Sequence, residues 1–399
     1  MSTTQQLLIA GGGIGGLAAA LAAAQAGWEV RLFERAAEFS EVGAGVQLGP
    51  NVTRILYRWG LEQALLSFAA CPDRLQIRNA VSGAELGMLP LGSEIHSRYG
   101  APYVTIHRAD LHNLLGAAVM SQADIHINLD RCLISFRDDG RAVTMTTTAS
   151  QRVEGDALLG ADGGWSRVRQ ILLNDGPPIF TGHLAYRAML NQAALPEALR
   201  SAQVTAWLGP HLHVVQYPVR GGEWMNVVAI VRGEQPEDMQ HWDHGANAAD
   251  LLRATGAVCA PLRDLLAAAP EASVNDHAWR LWALADRPPV QSADQIARGH
   301  VALLGDAAHP MRPYLAQGAG MAIEDASELA RALSMDAVDV PTRLLRYAQA
   351  RWQRVGRVQA RSIRNGEIYH ATGLMRVGRD ASIRLLGQRL LDVPWLYSG

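Results

Sequence analysis

Four residues near the start of the chain have the types and spacing of a dinucleotide-binding turn. Gly11, Gly13 and Gly16 form a Gly-x-Gly-x-x-Gly pattern, and Glu34 follows the last glycine by 18 positions. The first glycine permits a tight turn, the second lets a pyrophosphate approach the backbone, and the third allows close packing of a helix on a sheet. A carboxylate at this separation accepts hydrogen bonds from an adenosine ribose, and an acid rather than a base favours a ribose without a 2′-phosphate. The pattern therefore predicts a dinucleotide site.

This chemistry requires a strand, a turn and a helix around the glycines. The apolar segment Gln6 to Ala10 predicts a strand, Ile14 to Ala26 predicts a helix that Gly27 can end, and Glu29 to Phe33 predicts a second strand. The helix N-terminus then faces the phosphates. Because the glycines stand between a strand and a helix, we favour a dinucleotide cradle over a chance repeat in an Ala/Gly-rich helix.

The same apolar stretch, Leu7 to Trp28, is long enough to span a bilayer. Five glycines between Gly11 and Gly16 disfavour a continuous helix there, however. The residues before Leu7 lack the positive charge of a secretory signal. We therefore predict no integral membrane segment, and the small number of cysteines fits a reducing cytoplasm.

Composition narrows the class of partner. The 399 residues include 36 Lys and Arg and 38 Asp and Glu, which gives a formal charge of -2. The chain therefore has no overall positive potential that would attract nucleic acid. Three widely spaced cysteines, Cys71, Cys132 and Cys259, argue against a full disulfide framework and against a paired-cysteine metal site. We expect a small-molecule partner, no nucleic acid and no metal.

Two later segments also place an acid after an apolar strand. In Leu158 to Arg169 the acid is Asp162, and Ser166 can cap the helix that follows. In Val301 to Ala326 the acid is Asp306, before a glycine-rich helix start. Open α/β sheets bind ligands at the carboxyl ends of their strands.

Together the three segments resemble the FAD-dependent aromatic hydroxylases, the group A flavoprotein monooxygenases. The resemblance implies FAD as the cofactor and NADH or NADPH as a transient reductant. The chain has no separate Rossmann domain for this reductant. It also implies a loop beside the flavin at Gly43 to Gln47. By correspondence, the cofactor-binding residues are Gly11, Gly13, Gly16, Glu34, Arg35, Gly45, Val46, Arg108, Asp162, Asp306, Pro313, Gly318, Ala319 and Gly320.

The fold class that this resemblance implies is α/β. A Rossmann-like FAD domain of the p-hydroxybenzoate hydroxylase type is expected from residues 1–178 and 278–335, with an inserted antiparallel β-sheet substrate domain at 179–277 and a helical C-terminal region at 336–399. The Arg-rich segment Thr342 to Arg364 has apolar spacing, which indicates that it covers the core or a dimer surface rather than binding nucleic acid. The sequence leaves open whether the protein forms a homodimer.

The expected substrate domain contains a hairpin from His211 to Ile230, turning at residues 220–222. Period two puts His211, His213 and Tyr217 on one face. A histidine with a near-neutral pKa deprotonates a phenol well, and a tyrosine supplies a hydroxyl, so His213 and Tyr217 are the predicted catalytic residues. The alternative is that His213 is a sheet histidine hydrogen-bonded to the backbone and Tyr217 is a packing residue. His211 alone is not assigned a role.

The amino-acid sequences of several segments are most similar to those of 3-hydroxybenzoate 6-hydroxylases. Salicylate hydroxylases and 6-hydroxynicotinate 3-monooxygenases share much of this sequence. The resemblance implies hydroxylation of a phenolic acid by O2 through a flavin hydroperoxide. Gln47, Arg187 and Gln317 are the predicted substrate-binding residues, while Arg187, Arg312 and backbone amides remain alternatives for binding the substrate carboxylate. A flavin-dependent oxidase or dehydrogenase and a non-catalytic flavin-binding redox partner are the competing classes, because one scaffold hosts several chemistries.

Overall fold

The computed structural model describes residues 4–39, 44–240, 244–269 and 279–398. The chain forms two compact units. Unit 1 comprises Met1–Val42, Ala109–Ile179 and Asp286–Ser362, and unit 2 comprises Gly43–Arg108, Phe180–Ala285 and Ile363–Gly399. The three-part division expected from the sequence stays a prediction.

The described part of the chain contains both strands and helices, and its C-terminal part is helical. In chain order the strands are β1 (Gln6–Ala10), β2 (Glu29–Phe33), β3 (Gly45–Leu48), β4 (Arg74–Asn79), β5 (Glu85–Pro90), β6 (Val104–His107), β7 (Ile125–Asn128), β8 (Leu133–Asp138), β9 (Val143–Thr147), β10 (Arg152–Gly155), β11 (Ala157–Gly160), β12 (Ile179–Asn191), β13 (Val204–Gly209), β14 (Leu212–Val219), β15 (Trp224–Arg232), β16 (His244–Ala246), β17 (Trp279–Asp286), β18 (Ala297–Arg298) and β19 (Val301–Leu303).

The α-helices are α1 (Ile14–Gln25), α2 (Pro50–Arg58), α3 (Glu62–Phe68), α4 (Gly92–Tyr99), α5 (Arg108–Met120), α6 (Arg167–Leu173), α7 (Ala248–Thr255), α8 (Ala260–Ala267), α9 (Gly318–Leu333), α10 (Val340–Tyr369), α11 (Gly373–Leu386), α12 (Gln388–Leu391) and α13 (Pro394–Tyr397). None of the described helices is both long and apolar enough to cross a membrane.

Unit 1 is built on a six-stranded sheet in the order β18-β19-β11-β1-β2-β7. Strand β1 pairs in parallel with both β2 and β11, and β11 pairs in parallel with β19. The central strands are buried apolar runs, as expected of a parallel sheet covered on both faces. Helix α1 connects β1 to β2, so the predicted strand, helix and second strand are all confirmed.

Helix α10 covers the core of unit 1 with a face that contains buried arginines. Arg351 is buried, and its guanidinium donates to Glu324 and Asp325 of α9. Arg343 is also buried, and it donates to the carbonyl of Leu333. Of the two roles left open for this Arg-rich segment, covering the core is therefore observed.

Unit 2 is built on an eight-stranded sheet in the order β16-β17-β12-β15-β14-β13-β4-β5. Strands β14 and β15 form the predicted hairpin, with a short 3-10 turn at Arg220–Gly222. Alternation gives this sheet two distinct faces. One face supplies Tyr186, Leu212 and Val214 to an apolar cluster that also includes α7 and α8. The other face carries the predicted catalytic residues. Unit 2 also contains a separate two-stranded ladder of β3 and β6.

Candidate active site

The turn between β1 and α1 requires glycine at its first position. Gly11 has φ +108, in the region that disfavours side chains, and its backbone N–H donates to the carbonyl of Phe33 at 2.8 Å. A Cβ on Gly11 would lie 2.3 Å from the carbonyl oxygen of Ala161. A Cβ on Gly16 would lie 1.9 Å from the carbonyl oxygen of Gly11. Both glycines are needed because backbone segments meet there.

The predicted ribose acid lies directly beside this turn. Glu34 follows β2, and its Oε2 accepts the backbone N–H of Gly12 at 2.6 Å. Its Oε1 accepts the N–H of Ala36 at 2.9 Å. The carboxylate is therefore held at the edge of the glycine turn, while the next residue, Arg35, is exposed.

The N-terminus of α1 fits a dinucleotide phosphate. Gly13 is its N-cap, no side chain caps the helix, and no acidic residue lies in its first turn. The first N–H groups of a helix have no partner within the helix, and they carry partial positive charge. Since the backbone around Gly11 and Gly16 also leaves no room for side chains, this turn fits the pyrophosphate of FAD.

One residue that holds the turn was missed by the sequence analysis. His112 of α5 is buried, and its Nε2 lies 2.8 Å from the carbonyl oxygen of Gly12. Its ring packs edge-on against Phe39 with the centroids 5.4 Å apart. His112 is 100 residues from Gly12 in the sequence, so no local pattern links the two.

The second predicted acid, Asp162, lies at the N-terminus of α6. Its Oδ2 accepts the backbone N–H groups of Arg167 and Val168 at 2.7 and 3.1 Å, and its Oδ1 accepts the Ser166 hydroxyl. Ser166 caps α6 as predicted, accepting the N–H of Arg169. Burial raises the pKa of Asp162, although these hydrogen bonds oppose the rise. The geometry explains Asp162 as part of the helix cap, and its contact with a cofactor stays a prediction.

The third predicted acid, Asp306, points away from the core while the residues around it are buried. It lies in a 3-10 turn, Gly305–Ala307, directly after β19. The turn is tied down by Asp325 of α9, whose Oδ2 accepts the N–H of Gly305 at 3.0 Å and lies 2.6 Å from Nε2 of His309. These contacts fix the backbone of the turn that contains Asp306.

Three of the predicted cofactor-binding residues form the start of α9. Gln317 is the buried N-cap, and Gly318, Ala319 and Gly320 make the first turn, in which no acidic residue occurs. Pro313 begins a 3-10 turn just before it. Arg312 is engaged nearby, because its Nε donates to Asp286 at 2.5 Å. This ion pair makes Arg312 a poor choice for binding a substrate carboxylate.

In unit 2, the predicted residues Gly45, Val46 and Gln47 all lie on β3. The N–H of Gly45 donates to Oδ1 of Asn226 at 2.8 Å, and its carbonyl oxygen accepts the hydroxyl of Tyr217 at 2.6 Å. A Cβ on Gly45 would lie 2.5 Å from the Tyr217 ring, so glycine is required there. Gly43, the start of the expected loop, lies outside the described residues.

Two further contacts tie β3 to its surroundings in unit 2. The hydroxyl of Tyr103 donates to Oε1 of Gln47. The backbone N–H of Arg108, the first residue of α5, donates to the carbonyl of Ala44 at 3.0 Å. Arg108 therefore follows directly after β6, the strand that pairs with β3 and Gln47.

The two predicted catalytic residues lie four residues apart on β14, on the same face. His213 pairs with Ile230 and Tyr217 with Asn226 of β15. His211 does not share this face, because it has φ +59 in the turn before β14, which begins at Leu212. The prediction that placed His211 on the strand was wrong, since a left-handed residue ends the strand alternation.

His213 is buried, with 2% of its surface exposed, and its Nδ1 lies 2.8 Å from Nε2 of His370. Burial, and then the neighbouring His183, lowers the pKa of His213 to about 3. This direction is opposite to the near-neutral pKa expected for this histidine, because removing an imidazolium from water is unfavourable. Burial therefore favours the neutral form of the His213 ring.

Arg187 lies on the same sheet face as these two residues. It pairs with Val228 of β15, which pairs in turn with Val215 of β14, between His213 and Tyr217. Tyr186 lies on the opposite face of the sheet. The guanidinium of Arg187 lies over the ring of Trp282, 3.3 Å from its centroid.

Arg187 is the strongest candidate for binding an anion in unit 2. Its buried Nε has no hydrogen-bond partner within the described ranges, and no described carboxylate forms an ion pair with it. Burial lowers the pKa of Arg187 to about 9, Arg108 contributes in the same direction, and Tyr217 opposes them. A carboxylate placed here would gain a charge-assisted hydrogen bond and would relieve an unpaired cation.

The site residues thus form two groups, each within one unit. Unit 1 contains the glycine turn, Glu34, and the Asp162 and Asp306 segments, whereas unit 2 contains β3 and the sheet face of Arg187. The sequence analysis missed His370, Trp282 and Asn226, which are distant in sequence from the residues they contact. Despite the several histidines, the described residues include no group of three His, Cys, Asp or Glu side chains suited to a metal ion.

Comparison with known proteins agrees with this architecture. A family model described as FAD binding domain matches residues 4–362. A 3-hydroxybenzoate 6-hydroxylase of Polaromonas naphthalenivorans (strain CJ2) is 37% identical over 395 residues, covering 98% of this chain and 95% of that protein. A 3-hydroxybenzoate 6-hydroxylase of Klebsiella oxytoca is 35% identical over 399 residues, covering 100% of this chain and 97% of that protein.

Among solved structures, a salicylate hydroxylase substrate complex has a TM-score of 0.82 and is 26% identical, and the match covers 100% of this chain and 96% of that chain. The sheet order, the glycine turn and these matches define an FAD-binding protein. The chain belongs to the FAD-dependent aromatic hydroxylases, a family of flavoprotein monooxygenases. The resemblance and the fold class expected from the sequence are therefore confirmed, and so is FAD as the cofactor.

Proposed function

We propose that this protein hydroxylates a small phenolic aromatic acid, with O2 and NADH or NADPH as co-substrates. The first candidate reaction is the 6-hydroxylation of 3-hydroxybenzoate, which forms gentisate. The observation that carries the proposal is the unpaired guanidinium of Arg187 on the same sheet face as His213 and Tyr217. A cation beside a neutral base and a hydroxyl suits a ring that carries one carboxylate and one phenol.

The cofactor would be held by the chain in several places. In unit 1, the α1 N-terminus would bind the pyrophosphate of FAD, Glu34 the adenosine ribose and Asp306 the ribityl chain. The start of α9 would approach the isoalloxazine by backbone contacts. When bound, FAD supplies the reduction by NAD(P)H and the activation of O2. The remaining steps depend on how side chains hold the substrate.

Arg187 would bind the substrate carboxylate. Its planar guanidinium is held over Trp282 and can form a bidentate contact with a carboxylate, which a lysine in that place would not reproduce. Arg312 is the weaker alternative because Asp286 already binds it. Gln47 and Gln317 would supply further polar contacts to the substrate.

His213 and Tyr217 would act on the phenol. Deprotonation makes the ring a better nucleophile, and His213 would accept a hydrogen bond from the phenol as a neutral imidazole, since burial disfavours its imidazolium form. Burial raises the pKa of Tyr217, with Arg187 opposing, so this residue stays protonated and serves as a hydroxyl rather than as a base. Its hydroxyl donates to Gly45, which fixes the ring for contact with the substrate.

We also propose that the protein works in the cytoplasm, as the paucity of cysteines indicates. A homodimer is proposed from the exposed apolar residues of α11, which include Leu374 and Leu385 at 89% and 84% exposure. Exposed patches of this kind mark association surfaces. Sedimentation of the purified protein would test the dimer.

The deciding experiment measures NADH and NADPH oxidation by the FAD-loaded protein with 3-hydroxybenzoate, salicylate or 6-hydroxynicotinate, with product analysis by mass. Stimulation with a product heavier by one oxygen atom is expected for 3-hydroxybenzoate. Hydroxylation of another acid would keep the reaction class and replace the substrate. Oxidation of a substrate without NAD(P)H would favour an oxidase, and no reaction with any phenolic acid would refute the proposal.

A further inference from the structure

Strand β3 is attached to the eight-stranded sheet of unit 2 through the backbone of one residue. The N–H of Gly45 donates to Oδ1 of Asn226 at 2.8 Å, and the Gly45 carbonyl oxygen accepts the hydroxyl of Tyr217 at 2.6 Å. Asn226 on β15 and Tyr217 on β14 are paired directly across the two strands. Two neighbouring side chains therefore hold one backbone residue, and we call them the Gly45 clamp.

The pairing of β3 with β6 explains why both backbone groups of Gly45 are available to the clamp. In an antiparallel pair, the backbone groups of alternate residues face the partner strand, and those of the residues between face away. The carbonyl of Ala44 accepts the N–H of Arg108, which directly follows β6, so Ala44 faces that side. Gly45 is the next residue, and its N–H and C=O therefore face away from β6.

The oxygen of the Asn226 amide accounts for an asparagine at this position. Asn226 is fully buried, and its Nδ2 has no hydrogen-bond partner among the residues that the structure describes. A buried donor without a partner costs free energy that a leucine of similar size would avoid. Since only Oδ1 can accept an N–H, the contact with Gly45 fixes the orientation of the amide. Asn226 thus supplies an acceptor to the backbone of β3.

Tyr217 holds β3 at a second residue as well. Its hydroxyl also forms a hydrogen bond with the side chain of Gln47 on the same strand. A Cβ on Gly45 would lie 2.5 Å from the Tyr217 ring and 3.1 Å from the Cβ of Asn226. A shift of β3 towards the sheet would therefore bring the Gly45 backbone against both side chains.

We propose that Asn226 is a positioning residue for FAD, which acts together with Tyr217 by holding the backbone of β3 in the place where the flavin binds. Its effect is transmitted through the Gly45 peptide. The inference rests on the cofactor-binding role predicted for Gly45 and Val46 in the proposed monooxygenase. It is independent of the aromatic acid that is hydroxylated.

The direct test measures FAD binding without turnover. The full chain is stripped of FAD and titrated with the cofactor, and the quenching of flavin fluorescence gives the Kd. Asn226→Leu keeps a similar volume and has no acceptor, so we expect FAD to bind about 10-fold more weakly. The visible circular dichroism of the bound flavin should change too. Asn226→Asp keeps an acceptor oxygen for the Gly45 N–H and should recover most of the affinity and the wild-type spectrum.

Tyr217→Phe tests the other end of the clamp. It removes the hydroxyl that binds the Gly45 carbonyl, so it should also raise the FAD Kd, and it provides the test if Asn226→Leu does not fold. An unchanged Kd in Tyr217→Phe would contradict the clamp. The double variant Asn226→Leu/Tyr217→Phe should lose less FAD affinity than the product of the two single losses. Losses that multiply would show two separate effects and would refute a shared role.

Asn79→Leu is the matched control. Asn79 is a buried asparagine of the same sheet, and its Oδ1 accepts the backbone N–H groups of Val81 and Ser82, each at 2.9 Å. The control should unfold at a lower temperature than the wild type and keep its FAD Kd. An unchanged FAD Kd in Asn226→Leu, or an equal rise in both variants, would refute the inference. Absence of hydroxylation by the wild type would refute the proposed function alone, because FAD binding can still be measured.

Discussion

The substitution Arg187→Met should weaken substrate binding and also raise the free energy of unfolding. Methionine keeps an unbranched apolar chain against Trp282 and removes a guanidinium that has no described ion-pair partner. The substrate would lose a charge-assisted contact worth about 2–3 kcal/mol. The expected rise in Kd and KM for the acid substrate is therefore about 30- to 150-fold.

The gain in stability follows from the pKa of Arg187. Burial, with a smaller effect of Arg108, lowers that pKa to about 9, which corresponds to ~5 kcal/mol of preference against the charged form before screening. Because the side chain is partly exposed, we expect on the order of 1–3 kcal/mol of added stability. The folded pKa lies below the unfolded one, so the penalty acts fully below about pH 9 and fades at higher pH.

The assay compares the FAD-loaded proteins by calorimetric unfolding and by substrate titration. A hydroxybenzoate and the matching neutral hydroxybenzamide are titrated side by side. Arg78→Met is the matched control, because Arg78 also lies over a tryptophan, Trp207, but donates to the Gly83 carbonyl at 3.0 and 2.7 Å. The control should lose about 1 kcal/mol of stability and keep its KM. If Arg187→Met bound the acid as tightly as the wild type, or unfolded earlier, the reasoning about an unpaired cation would be refuted.

Three further predictions concern unit 1. Gly16→Ala should abolish FAD binding, because its Cβ would lie 1.9 Å from the Gly11 carbonyl oxygen, and retained flavin absorbance after gel filtration would contradict this. Glu34→Lys should weaken FAD binding by about 10-fold or more, measured by flavin fluorescence, since losing the carboxylate that accepts the ribose hydroxyls costs about 1 kcal/mol or more; an unchanged Kd would remove Glu34 from the site. Asp325→Asn should destabilise the protein by about 3–5 kcal/mol, because Arg351 would be left buried without its full partner. Burial alone raises the pKa of Asp325, but His309 and Arg351 outweigh it and hold that pKa at about 2; the stabilisation should therefore be present above pH 4 and be lost from pH 4 toward pH 2 in the wild type, and an equal acid loss in Asp325→Asn would contradict this assignment.

Several parts of the fold could be predicted from the sequence because they depend on neighbours in the chain. The strand, glycine turn and helix at Gln6 to Gln25 follow from local apolar periodicity and backbone freedom. The hairpin of β14 and β15 follows from alternation around a glycine turn. The Ser166 cap likewise needs only residues within one helical turn.

Local sequence patterns are sufficient to predict the dinucleotide turn, the alternating faces of β14 and the family resemblance that these motifs carry. Which charges are paired depends on the folded chain. Arg312 has Asp286 and Arg187 has no described carboxylate, a difference that residue type cannot reveal. The tertiary structure also decided the contact of His213 with His370, across 157 residues, and with it the low pKa of both rings. The reason is that alternation and turn chemistry act between neighbours in the chain, whereas ion pairing and desolvation depend on groups that only folding brings together.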